Sequence, residues 1–404
     1  MNMRNALVVF VLLTTSCASS APADLTARAH TLAQRCLIVD GHIDVPYRLW
    51  EQKQNGPMDD VGVRTAKGDF DLPRAREGGL DAPFFSIYVP SEEEDKGTAK
   101  ELGDALIDLV EGIAAKYPDD MRIAHSSADV RAIVKDGDLA ILLGMENGSP
   151  VAGDLANLDH FHARGVRYIT LCHGKDNHIC DSSYDTRHTH KGLSPFGREV
   201  VQRMNALGIL VDVSHVSDDA FWDVMDVARV PVIASHSSLR HFVPGFERNL
   251  SDDMVRRIGR DGGVVMINFG SAFLTPAANE HAFARYALEG ELEKSRGLAP
   301  DSDEMRAALE QWDREHPLPF ASVADVADHI DRAVELAGVE HVGLGSDFDG
   351  VGDSLPSGLK DVSQYPNLIE ELLRRGYSDG EVRKICGENL MRVLAEAERI
   401  AREK

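Results

Sequence analysis

The stretch CLIVDGHIDVP, Cys36 to Pro46, is a short apolar, β-rich run that ends in a histidine and an aspartate two residues apart. An extended backbone sends alternate side chains to the same face, so His42 and Asp44 point together, and an imidazole and a carboxylate can then share one ion. The construction recurs down the chain. ILLGMENG ends its apolar run at Glu146, LVDVSHVSD at His215, PVIASHSS at His236, and HVGLGSDFDG at Asp347, with Asp349 two residues on. Reactive groups scattered over roughly 300 positions, each just past an apolar run, are what a (β/α)8 barrel requires, because its site is assembled from the C-terminal ends of different strands.

Working outward, eight runs qualify as strands: residues 36–40, 82–89, 140–145, 166–171, 209–213, 232–234, 263–269 and 341–345. Between them lie stretches of helical periodicity at 97–117, 127–135, 157–164, 197–207, 217–228, 251–261 and 322–337, several opened by a capping serine such as Ser127, Ser217, Ser251 or Ser322. Alternation of this kind predicts an α/β fold with a parallel sheet, and eight strands close a TIM barrel. Residues 362–375 and 378–402 are expected to be C-terminal closing helices. The charged segment 272–319 is expected to be a helical insertion after the seventh strand, on the side where loops tune substrate choice.

The 404 residues carry 66 acidic and 43 basic side chains, a formal charge of −23. That charge would repel nucleic-acid phosphates and an anionic membrane surface, so neither is an expected partner. The N-terminus, MNMRNALVVFVLLTTSCASSAPA, has a basic residue, an apolar run and then small residues, the layout of a secretory signal. Residues 1–23 are therefore read as a signal peptide and 24–404 as one domain. The protein is expected to be exported from a bacterial cytoplasm, either periplasmic or tethered through a lipid on Cys17. No later stretch reaches the roughly 18 to 20 apolar residues a spanning helix needs. Cys36, Cys172, Cys180 and Cys386 remain in the mature chain. Cys172 and Cys180 flank one loop, which leaves open a local disulfide or buried thiols.

Glu146 follows a run that reads as buried on both faces, where an unpaired carboxylate is costly and a cation is the natural partner. A set of imidazoles and carboxylates is a nitrogen and oxygen site of the kind zinc prefers. At the eighth run, Asp347 is the better placed to move a proton beside the metals; Asp349 reads as an acidic helix cap.

Taken in order and spacing, DGHIDVP, GMENG, LCHGKDN, DVSHVSD, SHSS, RNLSDD, GSDFDGV and GENLMRV resemble the renal or membrane dipeptidase family, zinc metallopeptidases of the amidohydrolase type. The resemblance runs from about residue 27 to about residue 398. It implies a metal-dependent-hydrolase barrel with two zinc ions per subunit, one held by His42 and Asp44, the other by His215 and His236, with Glu146 bridging. It further implies that His173 contacts the substrate and stabilises the developing oxyanion, that Arg248 grips the substrate's terminal carboxylate, and that Asp347 is the catalytic acid/base. A dipeptide with a C-terminal residue of L or D configuration is the implied substrate, and a homodimer the implied assembly. Alternatives left open are another amidohydrolase chemistry, such as deacylation of N-acyl amino acids, and a metal-binding lipoprotein without catalysis. Where many relatives carry an aromatic residue after the seventh strand, this chain has Gly270 and Ser271, so that wall of the substrate pocket is expected to be more open.

Overall fold

The computed structural model describes residues 22–300 and 302–403; the leader segment through residue 21, Cys17 included, lies outside the described residues. Among the described residues nine parallel strands form: β1 (Ile38–Ile43), β2 (Leu80–Tyr88), β3 (Met121–Ile123), β4 (Leu139–Glu146), β5 (Val166–Thr170), β6 (Leu210–Asp212), β7 (Ile233–Ala234), β8 (Val264–Ile267) and β9 (Val342–Leu344). Eight of them close into a ring in the order β1, β2, β4, β5, β6, β7, β8, β9 and back to β1. These are the eight runs expected from the sequence. The ninth, β3, is an added strand lying against the first half of β4.

Alternation along each strand explains what lies inside. In β4, Ala140 and Leu142 face the barrel interior, while Ile141, Leu143 and Met145 pack outward. The inward series continues through Gly144 to Glu146, which therefore reaches the rim facing in. Gly144 must be glycine, because a Cβ there would come within 2.0 Å of the Tyr168 ring that lies across the barrel floor. The interior residues join Leu390, Met391 and Leu394 of the last helix, Asn389–Arg402, in one cluster. Asn389 donates to the carbonyls of Val339 and Val342 at 2.7 and 2.8 Å, so this helix closes the N-terminal end of the barrel.

Strand β1 departs from simple alternation. Against β2, Asp40 pairs with Pro83 and Ile43 with Phe85, leaving Gly41 and His42 opposite Phe84 alone. That is a β-bulge, and it re-aims the strand end so that His42 turns inward while Ile43 still packs outward. Bulge and barrel closure coincide: Asp347 N donates to His42 O at 3.0 Å and Asp44 N to Phe348 O at 2.9 Å, stitching the ends of the first and last strands.

The expected helices appear, with capping hydroxyls of Ser217 and Ser251 accepting from Ala220 N and Met254 N. At the helix Ser127–Asp136 the cap is Ser126, one residue earlier than expected. Helices Val45–Asn55 and Leu72–Gly78 fill the β1 to β2 crossover, which the sequence reading left unassigned. The charged insertion is helical, in segments Ser271–Leu274, Pro276–Arg296 and Asp303–Glu315. The four cysteines described are free and buried, so no disulfide joins Cys172 to Cys180; Cys172 Sγ instead donates to Asp181 O at 3.5 Å. Among the described residues no helix is long and apolar enough to cross a membrane.

Candidate metal centre and active site

The C-terminal ends of the strands converge on Glu146. His42 Nε2 lies 3.2 Å from its Oε2, while His215 Nε2, His236 Nε2 and His173 Nε2 lie 3.1, 3.3 and 3.6 Å from its Oε1. Asp44 Oδ2 is 3.3 Å from His42 Nε2. Within this cluster the ligand atoms of His42, Glu146 and His236 fall within 4.8 Å of one another, as do those of Glu146, His173 and His215, and those of His42, Asp44 and Asp347. All seven acids and imidazoles singled out from the sequence therefore meet in one place. Glu146 belongs to two of the three groups, as a bridging carboxylate would. His173 and Asp347 stand closer to the ligand set than their expected substrate and proton roles demanded.

The tautomers can be read from the supports. Tyr168 Oη donates to Gly41 O at 3.1 Å, so at its 2.8 Å contact with His42 Nδ1 it accepts, and the bare lone pair of His42 is on Nε2. That buried nitrogen has no hydrogen-bond partner. Ser235 Oγ likewise donates to Asp212 Oδ2 at 2.6 Å and accepts from His236 Nδ1 at 2.7 Å, freeing His236 Nε2. His215 Nε2 stands only 2.8 Å from that atom. Lone pairs and carboxylate oxygens packed this closely, with the far nitrogens of His42 and His236 fixed by hydroxyls, form an unsatisfied donor set that a cation would complete. Nitrogen and oxygen donors in this number fit zinc.

Electrostatics point the same way. Burial penalises the Glu146 charge, but the surrounding imidazoles of His42, His173, His215 and His236 outweigh it and hold the carboxyl well below its usual range. Burial, aided by the Arg248 charge, keeps His215 and His236 neutral and so able to ligate. For His42 burial opposes the charge, yet Tyr168, Asp44 and Glu146 raise its pKa well above the ordinary value, a sign of the negative potential awaiting a cation. Burial and the adjacent Asp44 carboxylate push Asp347 up to about 7.

Asp347 Oδ2 accepts from Asn268 Nδ2 at 2.7 Å, which leaves Oδ1 facing His42 and Asp44. Its backbone is left-handed, φ 63°, and so is that of His215, φ 69°. Such conformations cost non-glycine residues on the order of 1–3 kcal/mol and persist where the surroundings enforce them. Asp349 is not a helix cap. Its Oδ1 accepts from Asp69 N at 2.6 Å, its own N–H donates to Asp69 Oδ2 at 2.8 Å, and its Oδ2 meets Arg48 Nε at 3.0 Å, a clamp that fixes the loop carrying Asp347.

Arg248 completes the site. Its Nη1 donates to Ser237 Oγ at 2.6 Å and its Nη2 to His236 O at 2.9 Å, while its Nε is unpartnered. The side chain is buried, and among the described residues no carboxylate pairs with it. Residues missed from the sequence are the supports: Tyr168, Asp212, Ser235 and Asn268. Asp212 and Asn268 follow their strands' apolar runs in the same manner as the ligands do, which is the signal that could have found them.

The model of the membrane dipeptidase family, peptidase family M19, matches residues 26–404. The chain belongs to the membrane dipeptidase family. It is a metallopeptidase-type enzyme on a barrel, and its relatives agree. Dipeptidase tcpJ of Claviceps purpurea is 37% identical over 341 residues, covering 83% of this chain and 70% of that protein. Among solved structures, the probable dipeptidase PvdM of Pseudomonas aeruginosa superposes with a TM-score of 0.79 at 28% identity, covering 94% of this chain and all of the other. A metallopeptidase from Rhodobacter sphaeroides, solved with a phosphinate mimic of the dipeptide L-Ala-D-Ala, superposes with a TM-score of 0.73 at 25% identity, covering 90% of this family member and 99% of that chain.

Proposed function

We propose that the enzyme hydrolyses dipeptides with a free C-terminal carboxylate at a two-zinc site, taking L or D residues at that end. The observation that carries this reading is the buried Arg248 guanidinium, without an acidic partner, one hydrogen bond from the backbone of the ligand His236. A planar fork of donors set beside the metal centre suits a carboxylate one residue beyond the scissile bond. The dipeptide mimic bound by the Rhodobacter sphaeroides relative supports the same substrate class.

His42 and Asp44 would hold one ion, His215 and His236 the other, and Glu146 both. Zinc bound there supplies Lewis acidity and lowers the pKa of water. Arg248 fixes the carboxylate and thereby the scissile carbonyl's position, removing much of the orientational cost of reaction. Asp347, steadied by Asn268, takes the proton of the attacking water on Oδ1 and returns it to the leaving amine. His173, held edge-on by the Tyr88 ring at 4.8 Å, faces the carbonyl oxygen as its negative charge grows. Chelation followed by dialysis is expected to abolish dipeptide hydrolysis, with recovery at two zinc per chain. Full turnover in metal-free protein would reject the mechanism, and faster cleavage of N-acetylated amino acids than of dipeptides would reject the substrate.

We also propose export, with the mature enzyme in the periplasm or held there by a lipid on Cys17, as a subunit of a homodimer. Release of Cys17→Ala from the membrane fraction while the unaltered chain stays bound is the expected sign of the lipid. Equal partition of both would remove the anchor.

A further inference from the structure

The gap left by Gly270 is filled from elsewhere. A Cβ at Gly270 would lie 2.9 Å from Phe273 Cδ2, so the Phe273 ring, on the first short helix of the insertion, folds back into that space. The expectation of an open wall is thereby corrected. Phe273 is anchored by its own carbonyl, which accepts from Asn249 Nδ2 at 2.8 Å. The Arg248 guanidinium carbon sits over the ring, 5.3 Å from its centroid. From there an aromatic surface continues: Phe273 to Phe246 at 5.7 Å, Phe246 to Phe283 at 5.9 Å and to Tyr184 at 6.1 Å, with Tyr184 6.0 Å from the His215 ring. Phe283 is 51% exposed and Tyr184 42% exposed, so apolar area lies open to solvent between the metal centre and the insertion.

A carboxylate bound to Arg248 and a scissile amide at Glu146 leave little freedom for the residue between them. Its Cα is one bond from that carboxylate, so its side chain leaves beside the guanidinium on which Phe273 is stacked. We propose that Phe273, Phe246 and Phe283 receive the side chain of the substrate's C-terminal residue, and that the enzyme selects dipeptides whose C-terminal residue is large and apolar or aromatic. This rests on the dipeptidase reading and names the substrate class within it. Burial of such a side chain against the wall removes apolar surface from water, and the aromatic pairing geometry adds specificity. Because Phe273 and Phe283 are contributed by the insertion and only Phe246 by the loop that carries Arg248, much of the selection is separable from the strand-borne chemistry.

The test compares kcat/KM of the zinc-loaded full chain on Ala-Gly, Ala-Ala, Ala-Leu and Ala-Phe. A rise of about tenfold or more from Ala-Gly to Ala-Phe is expected, since a few buried methylenes discriminate by that order. Phe273→Ala and, independently, the exposed Phe283→Ala are each expected to reduce the Ala-Phe to Ala-Gly ratio several-fold. Phe320→Ala, altering an exposed aromatic that packs on Lys360 at 3.7 Å instead, keeps the wild-type ratio. Calorimetric binding of phosphinate dipeptide mimics with glycine-like and phenylalanine-like C-terminal residues should show the same preference without turnover. Equal efficiency across the four dipeptides overturns the aromatic-wall inference and leaves the dipeptidase reading standing. No hydrolysis of any of them removes both.

Discussion

Asp347→Asn is expected to keep its metal and lose about 10²- to 10⁴-fold in kcat, the usual contribution of a positioned proton-transfer group. The substitution is nearly isosteric, and the amide oxygen can still accept from Asn268, so the left-handed turn at this position should survive. What disappears is the ability to take and return a proton. Parallel measurement of zinc by elemental analysis is essential, because an oxygen of Asp347 lies within 4.8 Å of the ligand atoms of His42 and Asp44. Zinc bound and turnover lost supports the acid/base role. Loss of one zinc per chain would make Asp347 a ligand and move proton transfer to another group, and unchanged kcat would exclude both.

Arg248→Ala is expected to lower kcat/KM on free dipeptides by about 2–5 kcal/mol of binding, the range found when one partner of a buried charge pair is truncated. That corresponds to roughly 30- to 5,000-fold. C-terminally amidated dipeptides, poor substrates from the start, should be affected far less, so the preference for a free carboxylate collapses. The variant loses donors to Ser237 and to His236 O as well, and a thermal melt separates that structural cost from recognition. Retained preference for the free carboxylate would show that another group binds it.

Much of this was legible in advance because barrel geometry writes itself into the chain. A short apolar run ending in His, Glu or Asp is a strand end, and its repetition at Glu146, His215, His236 and Asp347 names residues that the fold brings together. Strand β3 escaped because Met-Arg-Ile is too short to show a period. The bulge at Gly41 and His42 escaped for a related reason: side-chain alternation was read as continuous through His42 and Asp44, and convergence of the pair is achieved by an irregular backbone. Left-handed His215 and Asp347 carry no glycine to announce them. The Phe273 substitution for a side chain at position 270 was invisible because it depends on a ring returning through space from three residues away. Asp349 was misread because an acid after a strand looks the same whether it caps a helix or clamps Asp69 and Arg48.

The paired amides joining His42 to Asp347 and Asp44 to Phe348 tie the beginning of the domain to a point close to its end. A growing chain thus carries a mismatched set of imidazoles and acids until its final strand is made and docks beside the first. The full cluster assembles only once β9 has docked, and a fragment ending before residue 342 has neither a closed ring nor Asp347 beside His42 and Asp44.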